Sequence, residues 1–510
     1  MTSTSPYRSI FRRLQEQPYF LFLLPLFYLL NLCNSLYPVL QPADLLRAGM
    51  PWLLAIHLII LLLFSWLPGR FRKYALLVFY LELVYFFFGA LQDFLKEHWE
   101  WLSRYSHLLP LLLLLIPVIW WLLRSRTALP RTFLYSNSLL LLLLTIELVS
   151  SLLIAGTGGQ SRQWFGKRTS PLLNTSFCDT CQRPDIYFIV FDGYSASRTL
   201  KSYWDYDNSH LDSFFRQKGF FYADHSTSNY NSTPFSVGSI LNMDYHRKKL
   251  NKKIDLIDFC EGMETIHNNL VCQLLEKHGY TLINQSYFAL PHQPPPLNFS
   301  YLTDKTEIFL AQTFWKRIYA DIGWHFFPPR QPSPATVREQ IQNEKHKLDQ
   351  LKKTSTLFFE ELSRQRPQPA FVYTHFLLPH DPYFYDSTGS LTPPESWISP
   401  KAPKERYLSQ LKYTNTLIRD AVNKLLAPSD RPRIIILQSD HGFRSFEPAP
   451  GNQHQALEFN NLNAIYFPDQ DYSSLNDSMS SVNTFRLVLN KYFETGFPLL
   501  KDSSTYIGHH

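Results

Sequence analysis

Five long apolar runs crowd the first third of the chain: Tyr19–Leu36, Pro51–Leu67, Ala75–Leu91, Leu108–Leu123 and Phe133–Ala155. Roughly 17–25 predominantly apolar residues cross a bilayer as a helix, and several of these runs reach that length. The fourth is short enough to be a buried hairpin arm, but Leu111–Ile116 is too apolar for a surface. Residues 1–155 therefore read as a transmembrane region of five spans. No small-residue cleavage site follows the first run, so it does not read as a removable signal peptide. Charge sets the orientation. Arg8, Arg12 and Arg13 precede the first run, Arg70, Arg72 and Lys73 lie between the second and third, and Arg124, Arg126 and Arg131 lie between the fourth and fifth. The alternate connections are mixed, with Asp44 and Arg47 in one and Asp93, Lys96, Glu97, Glu100 and Arg104 in the other. Positive loops stay in the cytoplasm. The N-terminus is thus expected inside and everything beyond Ala155 outside. His57, Glu82 and Glu147 lie inside the runs, as functional groups or as interhelical hydrogen-bond partners.

Residues 156–184, rich in Gly, Ser, Thr and basic side chains, read as a linker, 185–500 as an extracytoplasmic domain and 501–510 as a tail. Four of the five cysteines (Cys178, Cys181, Cys260, Cys272) fall outside, where oxidation favours bridges. The simplest pairing is Cys178–Cys181 with Cys260–Cys272; a structural zinc site is the rival. The formal net charge of +7 is modest, and the basic residues form no stripe, which argues against a nucleic-acid partner.

In the outer domain strand and helix signals alternate. Strands are expected at Asp185–Phe191, Phe220–Ala223, Tyr280–Asn284, Pro369–Leu378, Arg433–Asp440 and Asn463–Phe467. Helices are expected at Leu211–Lys218, Met263–His278, Val337–Arg364, Pro403–Leu426 and Val482–Phe493, with Leu290–Pro334 an irregular surface excursion. This order predicts an α/β fold, a doubly wound and mostly parallel sheet.

Three strand ends carry chemistry. The run Ile434–Leu437 stops at Ser439, Asp440, His441 and Gly442, and Ile186–Phe191 stops at Asp192 and Gly193. Ligands bind beyond the carboxyl ends of strands in open α/β sheets, and Asp and His together suit Zn²⁺ or Mn²⁺. A third strand leads into Thr374-His375-Phe-Leu-Leu-Pro-His380-Asp-Pro, two imidazoles near the same edge. They are candidates to bind a metal or a phosphate oxygen, or to protonate a leaving group. In Asn229-Tyr-Asn-Ser-Thr233-Pro-Phe-Ser, Thr233 reads as a helix N-cap before Pro234. A hydroxyl there faces free amides that stabilise a phosphoryl oxygen; Ser232 is the neighbouring alternative. Arg444 and His454 follow in a loop that would cover the site, with Arg444 able to clamp an anionic oxygen.

Asp192, Thr233, His380-before-Pro and Asp440-His441-Gly442, in this order, resemble the alkaline phosphatase superfamily. The phrases NYNSTPFSVGSILNM, THFLLPHDPY, SDHGFR and NLNAIYFP, with five preceding spans, resemble its membrane-anchored sulfatase-like branch, which includes lipoteichoic acid synthases and phosphoethanolamine transferases. The resemblance covers roughly Asp185 to Phe493 and implies a metal held by Asp192, Thr233, Asp440 and His441. It further implies Thr233 as nucleophile and His380 as substrate-contacting acid, with His375, Arg444 and His454 as candidates around the substrate. The region around Thr233 has neither the Cys nor the Arg of the formylglycine motif of true sulfatases. Gly193, where a second acid would stand, argues against a fully occupied two-metal site. The implied activity is transfer of a phospho-alcohol head group from a membrane lipid to an envelope glycan or lipid, by a bacterial inner-membrane protein with a periplasmic catalytic domain. The alternatives are a phosphodiester, phosphate or sulfate ester hydrolase, or a non-catalytic envelope-assembly module.

Overall fold

A computed structural model describes residues 6–49 apart from 38 and 41, positions 51, 55 and 59, 71–124 apart from 115, 128–157, 171–246, 254, 256–297, 305–326, 333–447 and 453–508. The chain divides into two compact units, one comprising residues 1–161 and 302–331 and the other 162–301 and 332–510.

The first unit is helical. Within the helices Phe71–His98 and Ala128–Thr157, the segments Tyr74–His98 and Pro130–Ile154 are long and apolar enough to cross a membrane. The first apolar run forms a shorter helix, Phe20–Ser35. The run Pro51–Leu67, with His57, lies largely outside the described residues. Within the fourth run the described helices are Tyr105–Leu113 and Ile116–Arg124. The helices Phe20–Ser35, Phe71–His98 and Ala128–Thr157 pack through Phe20, Leu24, Leu76, Val78, Phe133 and Leu140. Glu147 is an interhelical acceptor, taking hydrogen bonds from Asn31 at 2.8 Å and Asn34 at 2.7 Å.

The excursion at Leu290–Pro334 is not irregular throughout. It contains the helices Lys305–Leu310 and Phe314–Phe326, which group with the first unit rather than with the domain that encloses them in sequence.

The second unit is built on six strands: β1 (Asp185–Phe191), β2 (Phe221–Tyr222), β3 (Thr281–Gln285), β4 (Ala370–Phe376), β5 (Arg433–Gln438) and β6 (Asn463–Tyr466). Their order is β2-β6-β5-β1-β4-β3. β5, β1, β4 and β3 run parallel, whereas β6 and β2 are antiparallel to their neighbours. The sheet is thus mixed. The chain leaving β5 stays on the carboxyl edge and re-enters as β6 beside it, with Gln438 opposite Asn463, so β6 runs back against β5.

β1 and β4 are buried along nearly their whole length, as expected for strands covered on both faces. Phe188 stacks on Tyr373 and meets Phe485 edge-on. Each such side chain contributes roughly 1.5–3 kcal/mol by leaving water. Register then fixes the site: Val190 lies opposite both His375 and Gln438, so Asp192, the residues after β4 and Ser439–Asp440 emerge at one edge.

The expected helix Met263–His278 is two, Leu256–His267 and Leu270–Lys277. The Asn269 side chain accepts the Cys272 amide at 2.8 Å, and such a cap starts a new helix. Cys178 and Cys181 form the expected disulfide. The Cys260–Cys272 bridge is absent, because Cys272 is a free, buried thiol. Both cysteines are at 0% exposure, and Cys272 packs in the apolar core, where cysteine behaves as a small hydrophobe. Burial pushes the Cys272 thiol up to about 12.

Candidate metal centre

Asp192 ends β1, and Gly193 adopts φ 69°, a conformation glycine takes without cost. The turn brings the Gly193 amide to Asp440 Oδ1 at 3.1 Å, and the His441 amide donates to the same oxygen at 3.0 Å. Asp440 Oδ2 is left buried, with no hydrogen-bond donor among the described residues. A buried carboxylate oxygen in that state costs free energy unless a cation meets it.

His441 supplies the complementary atom. Its Nδ1 lies 2.7 Å from the Gly442 carbonyl oxygen, so Nδ1 carries the proton and Nε2 presents a lone pair. Burial pushes this imidazole down to about 4, against the pull of Asp440, which keeps it neutral. Nε2 lies 3.3 Å from Thr233 Oγ1, 3.4 Å from Asp440 Oδ2 and 3.6 Å from Asp192 Oδ1. A tetrahedron with metal–ligand bonds of about 2.0–2.2 Å has edges of about 3.3–3.6 Å. The three distances from His441 Nε2 match the edges of such a tetrahedron. Burial alone would lift Asp192, but His380, His375 and His441 around it hold the carboxyl well below the usual range.

Thr233 opens the helix Thr233–Asn242, and Ser232, not Thr233, occupies the N-cap. With Pro234 next, the chain enters the helix one residue earlier than the Thr-Pro pair suggests, and it is the Thr233 hydroxyl that faces His441. The preceding loop is tied down by the end of the chain. Asn231 accepts the Ile507 amide at 2.8 Å and donates to Glu458 at 2.7 Å. Residues up to 508 are thus packed against this loop, and Ile507 is fully buried. Burial pushes Glu458 up to about 7.

His375 sits behind Asp192. It is fully buried, with Nε2 3.5 Å from Asp192 Oδ2 and Nδ1 2.8 Å from the Tyr373 hydroxyl. Burial pushes the Tyr373 hydroxyl well above its usual range, so it reaches His375 Nδ1 as a neutral hydroxyl. The Tyr287 hydroxyl donates to the same Asp192 oxygen at 3.1 Å. Asp192, His375 and Asp440 also place one ligand atom each within 4.8 Å of one another.

His380 is partly exposed. Its amide donates to the Asp192 carbonyl at 3.1 Å, its Nδ1 donates to the Asp381 carbonyl at 2.6 Å, and Arg444 Nη2 lies 2.7 Å from its Nε2. Burial lowers its proton affinity, but Asp192 and Asp381 outweigh burial and the net shift is upward. His454 stands elsewhere in its loop: its Nδ1 bonds to the Glu447 carbonyl, and its ring packs on Tyr203 and Phe446. No described contact brings it to the four-atom group.

Sequence reasoning overlooked Tyr373, Tyr287 and Asn231. Tyr373 was findable, since it lies two residues from His375 and strand alternation places both on one face. Tyr287 reaches Asp192 from the loop after β3, and nothing local to it signals that.

A family model, Sulfatase, matches residues 184–486, more than half of the chain. The chain belongs to the sulfatase family. It is an enzyme that transfers a phosphoryl or sulfuryl group. Among solved structures, this sulfatase-family chain is similar to the C-terminal periplasmic domain of EcEptC from Escherichia coli (10% identity, TM-score 0.40, covering 66% of this chain and 92% of that one). It is also similar to the integral membrane protein lipooligosaccharide phosphoethanolamine transferase A from Neisseria meningitidis (13%, 0.39, covering 93% and 95%). A third is the phosphonate monoester hydrolase of Agrobacterium radiobacter (12%, 0.35, covering 63% and 76%). These likenesses carry no weight in the assignment, which rests on the family match. No curated protein matches the chain.

Proposed function

We propose that this protein is a membrane-anchored transferase that moves a phospho-alcohol head group from a lipid to an envelope glycan or lipid, with Thr233 as nucleophile. The observation that carries the reading is Asp440. Two amides saturate one of its oxygens, while the other is buried and undonated beside the His441 lone pair, next to the Thr233 hydroxyl. Asp192, Asp440, His441 and Thr233 would hold a divalent metal, Zn²⁺ or Mn²⁺, which when bound lowers the pKa of the hydroxyl and neutralises charge on the attacked group.

The protein's own residues divide the remaining work. Thr233 gives up its hydroxyl proton to solvent, Oγ1 forms a bond to phosphorus, and the bond to the first alcohol breaks. The leaving oxygen needs a proton, and His380 is the group placed to give one. Arg444 now donates onto His380 Nε2, which requires that nitrogen to hold its lone pair. An anionic substrate oxygen draws the guanidinium away, because charge-assisted bidentate pairs outbid a neutral acceptor. His380 is then free to take up a proton. Transfer of the group from Thr233 to a second alcohol completes a ping-pong cycle. The two long apolar helices favour a lipid donor, and the charge pattern around the apolar runs favours a periplasmic domain on the inner membrane.

Product analysis tests the reading. With a phospholipid labelled in its head group, a transferase leaves label on a second alcohol. Label released only as free phospho-alcohol identifies a hydrolase and overturns the transfer step.

His375 was expected near substrate. We propose instead that it holds Asp192 in register from behind. His375→Ala is expected to weaken metal affinity by about 10- to 100-fold, the usual cost of losing an orienting partner. His375→Asn or His375→Gln should recover part of the loss. Competition with a fluorescent chelator measures it, and unchanged affinity in the alanine variant would reject this role.

A further inference from the structure

The insertion at 302–331 interrupts the outer domain in sequence yet packs with the N-terminal helices. Its attachment is built and largely polar. Lys305 pairs with Asp44 at 2.7 Å, the Tyr28 hydroxyl donates to the Phe309 carbonyl at 2.6 Å, and the Gly89 amide donates to the Gln312 carbonyl at 2.9 Å. A Cβ at Gly89 would stand 2.8 Å from Gln312 Cα, so only glycine admits this approach. Along the helix Phe314–Phe326, buried Arg317 pairs with Asp93 at 2.5 Å, Asp321 accepts from the Tyr105 hydroxyl at 2.7 Å, and Phe314 packs edge-on against Phe88. Polar side chains of this helix are therefore turned to the helical unit.

Unlike Phe314, two of its aromatics are turned the other way. Trp315 is 57% exposed and Tyr319 50%, and residues four apart share one helix face. Phe94, Trp99 and Trp101, at the end of Phe71–His98, are also exposed. Asp93 lies five residues before His98, about 7 Å along the axis, so the Arg317 pair sets the inserted helix beside the last turns of the Tyr74–His98 span. Trp and Tyr gather where spans leave the hydrocarbon. Asp44, Asp93 and Tyr105, which the insertion grips, all lie in connections that the charge pattern places outside.

We propose that Phe314–Phe326 is an interfacial helix that lies in the headgroup layer of the outward-facing leaflet, with Trp315 and Tyr319 against phospholipid. The catalytic domain thus carries its own membrane hook, separate from the linker at 156–184. This rests on the reading of the N-terminal unit as membrane-spanning, and the test separates the two.

The full chain is placed in nanodiscs of phosphatidylcholine and phosphatidylglycerol, and a nitroxide is attached at Trp315→Cys. Two controls are labelled in the same way: Leu142→Cys, exposed on the span Pro130–Ile154, and Ser474→Cys, exposed in the catalytic unit. The unlabelled-site chain gives the blank for the native cysteines. Relaxation by oxygen, which partitions into lipid, is compared with relaxation by a water-soluble nickel chelate. At position 315 oxygen is expected to dominate severalfold, as at 142, with the reverse at 474. If 315 behaves like 474 while 142 reads lipid, the interfacial helix is rejected. If 142 itself reads aqueous, the membrane reading falls first. Shielding of 315 from both reagents, with dipolar broadening between labels, identifies a second copy of the chain on this face and also overturns the proposal.

Discussion

Exchange of Thr233 for alanine is expected to abolish turnover of an aryl phosphodiester, by about 10⁴-fold or more, as when a covalent nucleophile is removed. The Thr233 hydroxyl lies 3.3 Å from His441 Nε2 at the opening of a helix. Ser232, one residue earlier, occupies the N-cap, and no described contact brings its hydroxyl to His441. Asp192, Asp440 and His441 remain in this variant, so metal content by mass spectrometry should fall little. Thr233→Ser keeps the oxygen and should retain measurable turnover. In the unaltered chain a trapped phosphoryl adduct should map to the peptide containing Thr233. Retained activity in the alanine variant, or an adduct elsewhere, rejects the nucleophile assignment.

Asp440→Asn should have the second-largest effect, and in two directions. The amide oxygen of asparagine still accepts from Gly193 and His441, but an uncharged NH₂ replaces Oδ2 at the centre. Metal content should fall from near stoichiometric to near zero, and activity should fall with it. Stability should move the other way in metal-free protein. A buried, undonated carboxylate oxygen costs about 1–3 kcal/mol, and the substitution removes that cost. Chelation is therefore expected to lower the melting temperature of the unaltered chain and leave the variant unchanged. If the variant keeps its metal, or chelation destabilises both chains alike, Asp440 is not a ligand.

The family and the strand edges were legible early because their signals are local. The apolar run Ile434–Leu437 followed by Ser439, Asp440 and His441 announces a buried strand with polar cargo, and β5 is that strand. The second strand ending in Asp192 needs no partner to be read. Legibility failed where an element answers to something far away in the chain. Residues 305–326 are apolar and irregular in composition, yet they are helical because Asp44, Gly89, Asp93 and Tyr105 give them polar partners. The Cys260–Cys272 pairing was plausible by spacing alone. It fails because the cap at Asn269 breaks the helix and Cys272 packs into the core.

The sequence by itself determined that an apolar helical region precedes an α/β domain, and that hydroxyl, carboxylate and imidazole groups sit just beyond its strands. Both follow from periodicity and from where apolar runs stop, properties a chain carries whatever it later touches. Only the tertiary structure decided which atoms face one another. Parallel register set Val190 beside His375 and Gln438, the Gly193 amide, 247 residues away in sequence, joined the adjacent His441 amide on one Asp440 oxygen, and the Tyr373 hydroxyl came within 2.8 Å of His375 Nδ1. Such choices turn on separations of a few tenths of an ångström between groups on different strands, and no spacing along the chain encodes them.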